Sequence, residues 1–141
     1  MTPVAARKIL GRYVGLMAAR LASHFYVRPN SRPAICVQGD TLVTPFDPIS
    51  PAALAVLADS LMPRACEKLL TEMGEARFTV RAVELKRHYL FVVRRRHGNV
   101  EIEIRDHGIG DHGKPPDSSG IPFDPKRKPP TLRAEAIPEE G

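Results

Sequence analysis

The chain has 141 residues, 43% hydrophobic and 26% charged, an ordinary globular composition with room for one modest core. Its formal charge is only +5, yet residues 1–39 carry six cations and no acid, residues 40–75 run to −4, residues 76–107 to +4 and the rest to −1. That segregation points to a polyanion, an acidic protein surface or a targeting segment as its cause, and no apolar run approaches the roughly 20 residues of a membrane span.

Thr2-Pro3 supplies an N-cap hydroxyl followed by proline at the first helical position. Leu10, Val14, Met17 and Leu21 recur at helical spacing, flanked by Tyr13 and Phe25, with Lys8 and Arg12 on the opposite side. A second stripe, Gly11, Gly15, Ala18 and Ala22, lets another backbone come close. The helix is expected to run until Arg28-Pro29-Asn30-Ser31-Arg32-Pro33 stops it. Residues 34–38 and 41–44 read as a small hairpin around Gly39-Asp40. Ser50-Pro51 opens a second helix with the stripe Leu54, Leu57, Ala58 and Leu61. The apolar face then shifts to Met62, Cys66, Leu69, Leu70 and Met73, so Pro63 marks a break, and Gly74 is the C-terminal stop.

From Arg77 the period becomes two, in three runs: Phe78, Val80, Ala82; Tyr89, Phe91, Val93; Val100, Ile102, Ile104. The last two read as a hairpin with Gly98-Asn99 at its tip. That register sets Arg96 opposite Glu101, Arg94 opposite Glu103 and Val93 opposite Ile104. The fold class expected is therefore α+β: helix, short hairpin, Pro-broken helix, then a three-stranded antiparallel meander with helices on one face. The element order resembles that of small virion-assembly and adaptor domains. Residues 1–107 are expected to form the compact domain. Residues 108–141, with seven prolines in the last 27, are expected to form an extended tail that orders on a partner.

Ile102-Glu103-Ile104-Arg105-Asp106-His107-Gly108-Ile109-Gly110 resembles the first glycine box of the GHKL ATPases. The resemblance implies that Asp106 accepts from an adenine amino group while Gly108 and Gly110 let backbone approach the nucleotide. The family's Mg²⁺-holding Asn has no counterpart in residues 66–75, which offer Glu67, Glu72 and Glu75, and no second glycine box follows. Asp106-His107-Gly108 recurs as Asp111-His112-Gly113, at no spacing typical of a metal site. No GxSxG, HExxH, GxxxxGK[ST] or dinucleotide fingerprint is present, so no catalytic residue, cofactor or metal is assigned.

Cys36 and Cys66 lie in apolar stretches and read as thiols of a reducing compartment. Ser23 and Ser31 are the only serines before Gln38, too few for a transit peptide, and Arg12 and Arg20 interrupt any secretory apolar core. An intracellular, cytoplasmic or virion-associated protein is the expectation. The function expected is that of a non-enzymatic interaction or assembly protein in a larger complex. Its protein partner would meet Arg7, Lys8, Arg12 and Arg20 on the first helix and Phe123, Lys126, Arg127 and Lys128 on the tail. The alternatives are nucleic-acid binding through the basic helix and a degenerate GHKL-like nucleotide domain.

Overall fold

The computed structural model describes residues 2–109 and 129–135. Helix α1 spans Pro3–Arg20, and the Thr2 hydroxyl accepts from Ala5 N at 3.1 Å as its cap. Helix α2 spans Pro51–Leu61 and is capped in the same way, the Ser50 hydroxyl accepting from Ala53 N. Helix α3, Arg64–Met73, starts afresh after Pro63 and ends on Gly74 at φ 75°. These boundaries follow the cap and proline signals of the sequence.

The end of α1 does not. The helix closes at Arg20 with Leu21 in the left-handed region, φ 53°, and His24–Val27 is strand β1. No glycine announces the stop. Phe25 and Val27 alternate with His24 and Tyr26, and pairing on both sides of β1 outweighs the continuing helical pattern.

Strands β2, Ala34–Val37, and β3, Asp40–Val43, form the expected hairpin. Then come β4, Glu75–Ala82, β5, Arg87–Arg96, β6, Asn99–Ile109, and β7, Leu132–Glu135. Together they build one antiparallel sheet in the order β3-β2-β1-β6-β5-β4-β7. The three-stranded meander is therefore wrong, although the class remains α+β. The meander β4-β5-β6 is the middle of a seven-stranded sheet. One flank is completed by β1 and the β2–β3 hairpin. The other is completed by β7, which comes from the stretch read as extended tail. The division expected at residue 107 falls just before residues 110–128, which lie outside the described residues.

The β5–β6 register also differs from the reading. Arg96 lies opposite Asn99, Arg94 opposite Glu101, and Val93 opposite Ile102. The tip is His97-Gly98, both left-handed at φ 52° and 80°. Consecutive positive φ values make a turn whose twist matches the strands and put glycine second, not first. The slip is two residues, so every side chain keeps its face.

One face of the sheet is apolar: Phe25, Val27, Ile35, Ala76, Phe78, Val80, Tyr89, Phe91, Val93, Ile102 and Ile104 are buried. Leu10, Val14 and Met17 of α1, Leu54 and Leu57 of α2, and Cys66 and Leu70 of α3 join them in a single core. Each large aliphatic or aromatic side chain removed from water contributes about 1.5–3 kcal/mol. Tyr13 stacks on Phe25 at 4.6 Å and meets the edge of Phe46 at 4.9 Å, tying α1 to β1 and to the β3–α2 loop. Among the described residues no helix covers the opposite sheet face, which carries His24, Tyr26, Arg77, Arg81, Arg94, Glu101, Glu103 and Arg105.

Candidate functional site

Arg7, Lys8, Arg12 and Arg20 are all exposed on α1, but they do not form one surface. Lys8 and Arg12 are one turn apart on the side away from the core. Arg7 turns toward α2, its Nε donating to Ser60 O at 3.3 Å. Arg20 belongs to the last turn. Arg12 also edges an open cleft of about 500 Å³ between α1 and the start of α2, whose apolar floor includes Ile9, Tyr13, Phe46 and Ile49, with Asp47 on the rim. Phe123, Lys126, Arg127 and Lys128 lie outside the described residues.

The small-residue stripe does meet a close neighbour. A Cβ at Gly11 would lie 2.9 Å from Pro130 O and 3.0 Å from Pro129 Cβ, whereas one at Gly15 would meet only Pro130 Cδ at 3.8 Å. Residues 129–130 thus rest on α1 immediately before the chain enters β7. Glu84, in the β4–β5 turn, fastens the next residue: Thr131 N and Oγ1 each donate to its carboxylate at 2.6 Å. Val83 N donates to Thr131 O at 2.9 Å. The stripe showed that a backbone comes close, but nothing local to α1 could show which one.

On the uncovered face the strand arginines are bound up with acids. Arg94 Nε donates to Glu75 at 2.9 Å and its Nη1 to Glu103 at 3.4 Å. Arg77 reaches Glu75 at 3.3 Å, Arg105 pairs with Glu103, and Arg96 lies 3.7 Å from Glu101. The pairs Arg94–Glu103 and Arg96–Glu101, expected as direct opposites, form on the diagonal instead. Arg95 is exposed at the tip, its backbone N–H bonded to Gly74 O. A hydrogen bond from Arg94 holds the Glu75 carboxyl below its usual range against a smaller opposing effect of burial. Burial pushes Glu103 up, but hydrogen bonding and charge attraction from Arg105 and Arg94 outweigh it, leaving Glu103 below the usual range.

Both carboxyls therefore titrate lower folded than unfolded. Their stabilisation is fully present above the ordinary carboxylate range and is lost as pH falls through their folded values. Denaturant midpoints measured from pH 6 down to about 3 should fall less steeply in a Glu75→Gln/Glu103→Gln protein than in the parent. Parallel acid limbs would show that this ladder does not set the pH dependence.

Asp106, the proposed adenine acceptor, is engaged elsewhere. It forms an ion pair with Arg87, whose side chain is 9% exposed, and its backbone N–H bonds to Ser23 O. Tyr89 lies opposite Asp106 in the register; burial pushes its hydroxyl up to about 12, with Asp106 adding to the rise and Arg87 opposing it. Gly110 and the second Asp-His-Gly, Asp111–Gly113, lie outside the described residues. Gly108 to Lys114 has the GxxxxGK spacing of a phosphate loop. Pro115 follows, where the loop needs a Ser or Thr hydroxyl for Mg²⁺, and proline also lacks the backbone N–H of a phosphate cradle. Cys36 and Cys66 are both free; Cys66 is buried, which raises its thiol pKa.

No family model matches the chain, and no curated protein matches it. Solved structures do. The pilus retraction motor PilT, in a crystal structure with bound ADP, superposes with a TM-score of 0.56 at 21% identity, covering 70% of this chain and 27% of that one. The Legionella pneumophila ATPase DotB superposes with a TM-score of 0.60 at 16% identity, covering 75% of this chain and 29% of that one. At these identities the likeness is one of fold. The chain spans under a third of the length of either protein. Among the described residues, no helix is long and apolar enough to cross a membrane.

Proposed function

We propose that these residues form a non-enzymatic interaction module of a larger assembly, of the kind organised around a motor ATPase. The observation that carries this reading is a combination. The fold is shared with just over a quarter of a pilus motor and of an ATPase, while the sequence puts Pro115 where a phosphate loop needs its hydroxyl. Asp106 supports it, since a carboxylate committed to Arg87 is poorly placed to read an adenine. The docking surface in this reading is the outward face of α1, Lys8 and Arg12, together with the adjoining cleft. An acidic partner surface with an apolar side chain for that cleft would complement it.

The test is co-elution of the purified protein with a motor ATPase of its own source organism. Lys8→Glu/Arg12→Glu should abolish co-elution, whereas Arg94→Ala/Arg96→Ala, which touches arginines already paired, should leave it. The nucleic-acid reading makes a different forecast. Under it the same Lys8/Arg12 pair would hold DNA or RNA at about 50 mM salt with an affinity falling steeply as salt rises. Binding to DNA or RNA without binding to the motor would replace the proposal with that reading.

A further inference from the structure

The uncovered sheet face carries two kinds of arginine. Arg77, Arg94, Arg96 and Arg105 each reach a glutamate. Arg81 and Arg133, both exposed, reach no carboxylate among the described side chains, and the next β7 position on that face is Glu135, opposite Thr79. They also stand directly opposite one another across the β4–β7 pair. Direct antiparallel partners have Cα atoms about 5 Å apart and side chains on one face. Like charges so placed repel, and an ordinary solvated strand pair would set an acid or a neutral residue at one of the two positions. The next strand continues the row, since His88 lies opposite Arg81 on β5.

We propose that Arg81 and Arg133 form an oxoanion site that takes the phosphate group of a small ligand. Each guanidinium presents a rigid fork of N–H donors. Two forks about 5 Å apart at their strands can close on a single group from both sides. A phosphate offers three or more acceptor oxygens and up to two charges, enough for both forks. A carboxylate has two oxygens and one charge, and one fork satisfies it. Arg133 belongs to β7, so the site exists only while β7 lies against β4. Glu84's double hydrogen bond to Thr131 and the contact of residues 129–130 with Gly11 hold that strand in place. The site is thus assembled from two strands about fifty residues apart in sequence, β4 and β7, which is why no local sequence motif marks it. It lies on the face opposite α1 and does not depend on the motor-partner reading.

The test is a calorimetric titration of inorganic pyrophosphate into the full chain, with acetate as a monocarboxylate control. Saturable binding to one site is expected, with acetate much weaker. Arg81→Gln and Arg133→Gln should each weaken it at least about tenfold, the loss expected for a charge-assisted hydrogen-bonding pair. Arg77→Gln should leave it unchanged. A melting series separates binding from folding. In anion-free buffer Arg81→Gln should melt no lower than the parent, because a repulsion has been removed. Pyrophosphate should raise the melting temperature of the parent and not that of the variant. Absence of saturable pyrophosphate binding would overturn the proposal. So would equal binding by Arg81→Gln, equal weakening by Arg77→Gln, or equal affinity for acetate. Any of these results leaves the motor-partner reading standing.

Discussion

Arg87→Ala should destabilise the protein by about 3 kcal/mol, the lower end of what breaking a buried ion pair costs. The Arg87 side chain is only 9% exposed, and its truncation takes the guanidinium away from the partly buried Asp106 carboxylate, beside the buried Tyr89. The lower end applies because Asp106, 23% exposed, can recover some hydration. Against a total stability of 5–15 kcal/mol typical of single domains, the loss is large. Arg87→Leu/Asp106→Leu should lose much less, since the carboxylate and the guanidinium are then removed together. Urea denaturation of the three proteins checks this. A change within about 0.5 kcal/mol for Arg87→Ala, the usual size of a surface effect, would mean that the pair does not hold the ends of β5 and β6 together.

The second large effect is expected at Gly11. Gly→Ala in a helix interior ordinarily gains about 1 kcal/mol. At Gly15, where the nearest outside atom would be 3.8 Å from the new Cβ, that gain should appear. At Gly11 the new Cβ would lie 2.9 Å from a backbone oxygen and 3.0 Å from a proline ring carbon, so residues 129–130 must move. Gly11→Leu should lift them off α1 and take β7 with them. The Val83 amide, which donates to Thr131 O, should then exchange with solvent much faster, while the Phe78 amide stays protected in the middle of β4. If Gly11→Leu leaves Val83 exchange at the parent rate, residues 129–135 do not rest on α1.

What the sequence discloses of this fold follows how local each cause is. Thr2-Pro3, Ser50-Pro51, Pro63 and Gly74 act on backbone within one turn, and all four boundaries are where those residues put them. Strand β1 was hidden because Leu21 ends α1 in a conformation usually left to glycine, and because β1's partner β6 lies about eighty residues further on. Strand β7 is hidden because Leu132-Arg133-Ala134-Glu135 is too short and too polar to signal a strand alone. It exists through the free edge of β4 and the Glu84 carboxylate. The hairpin register differs by two because His97, a non-glycine residue, takes the first positive φ of the turn, yet the faces are kept, and with them two of the expected ion pairs. The candidate site divides similarly. Exposure of Lys8 and Arg12 follows from helical period alone. The cleft beside Arg12 and the Arg81–Arg133 apposition need segments that meet only in the folded chain.

The proposal under test is that the chain docks on a motor ATPase and alters its turnover without hydrolysing ATP itself. Phosphate release from Mg·ATP tests it most directly, in three samples: the chain alone, a motor ATPase of the same organism alone, and the two together. The chain alone should release no phosphate above the buffer blank. The mixture should turn over at a rate different from the motor's own, with Lys8→Glu/Arg12→Glu cancelling the difference. Sustained release by the chain alone, abolished by Lys114→Ala, would contradict the account, and so would a mixture that turns over ATP at the motor's own rate.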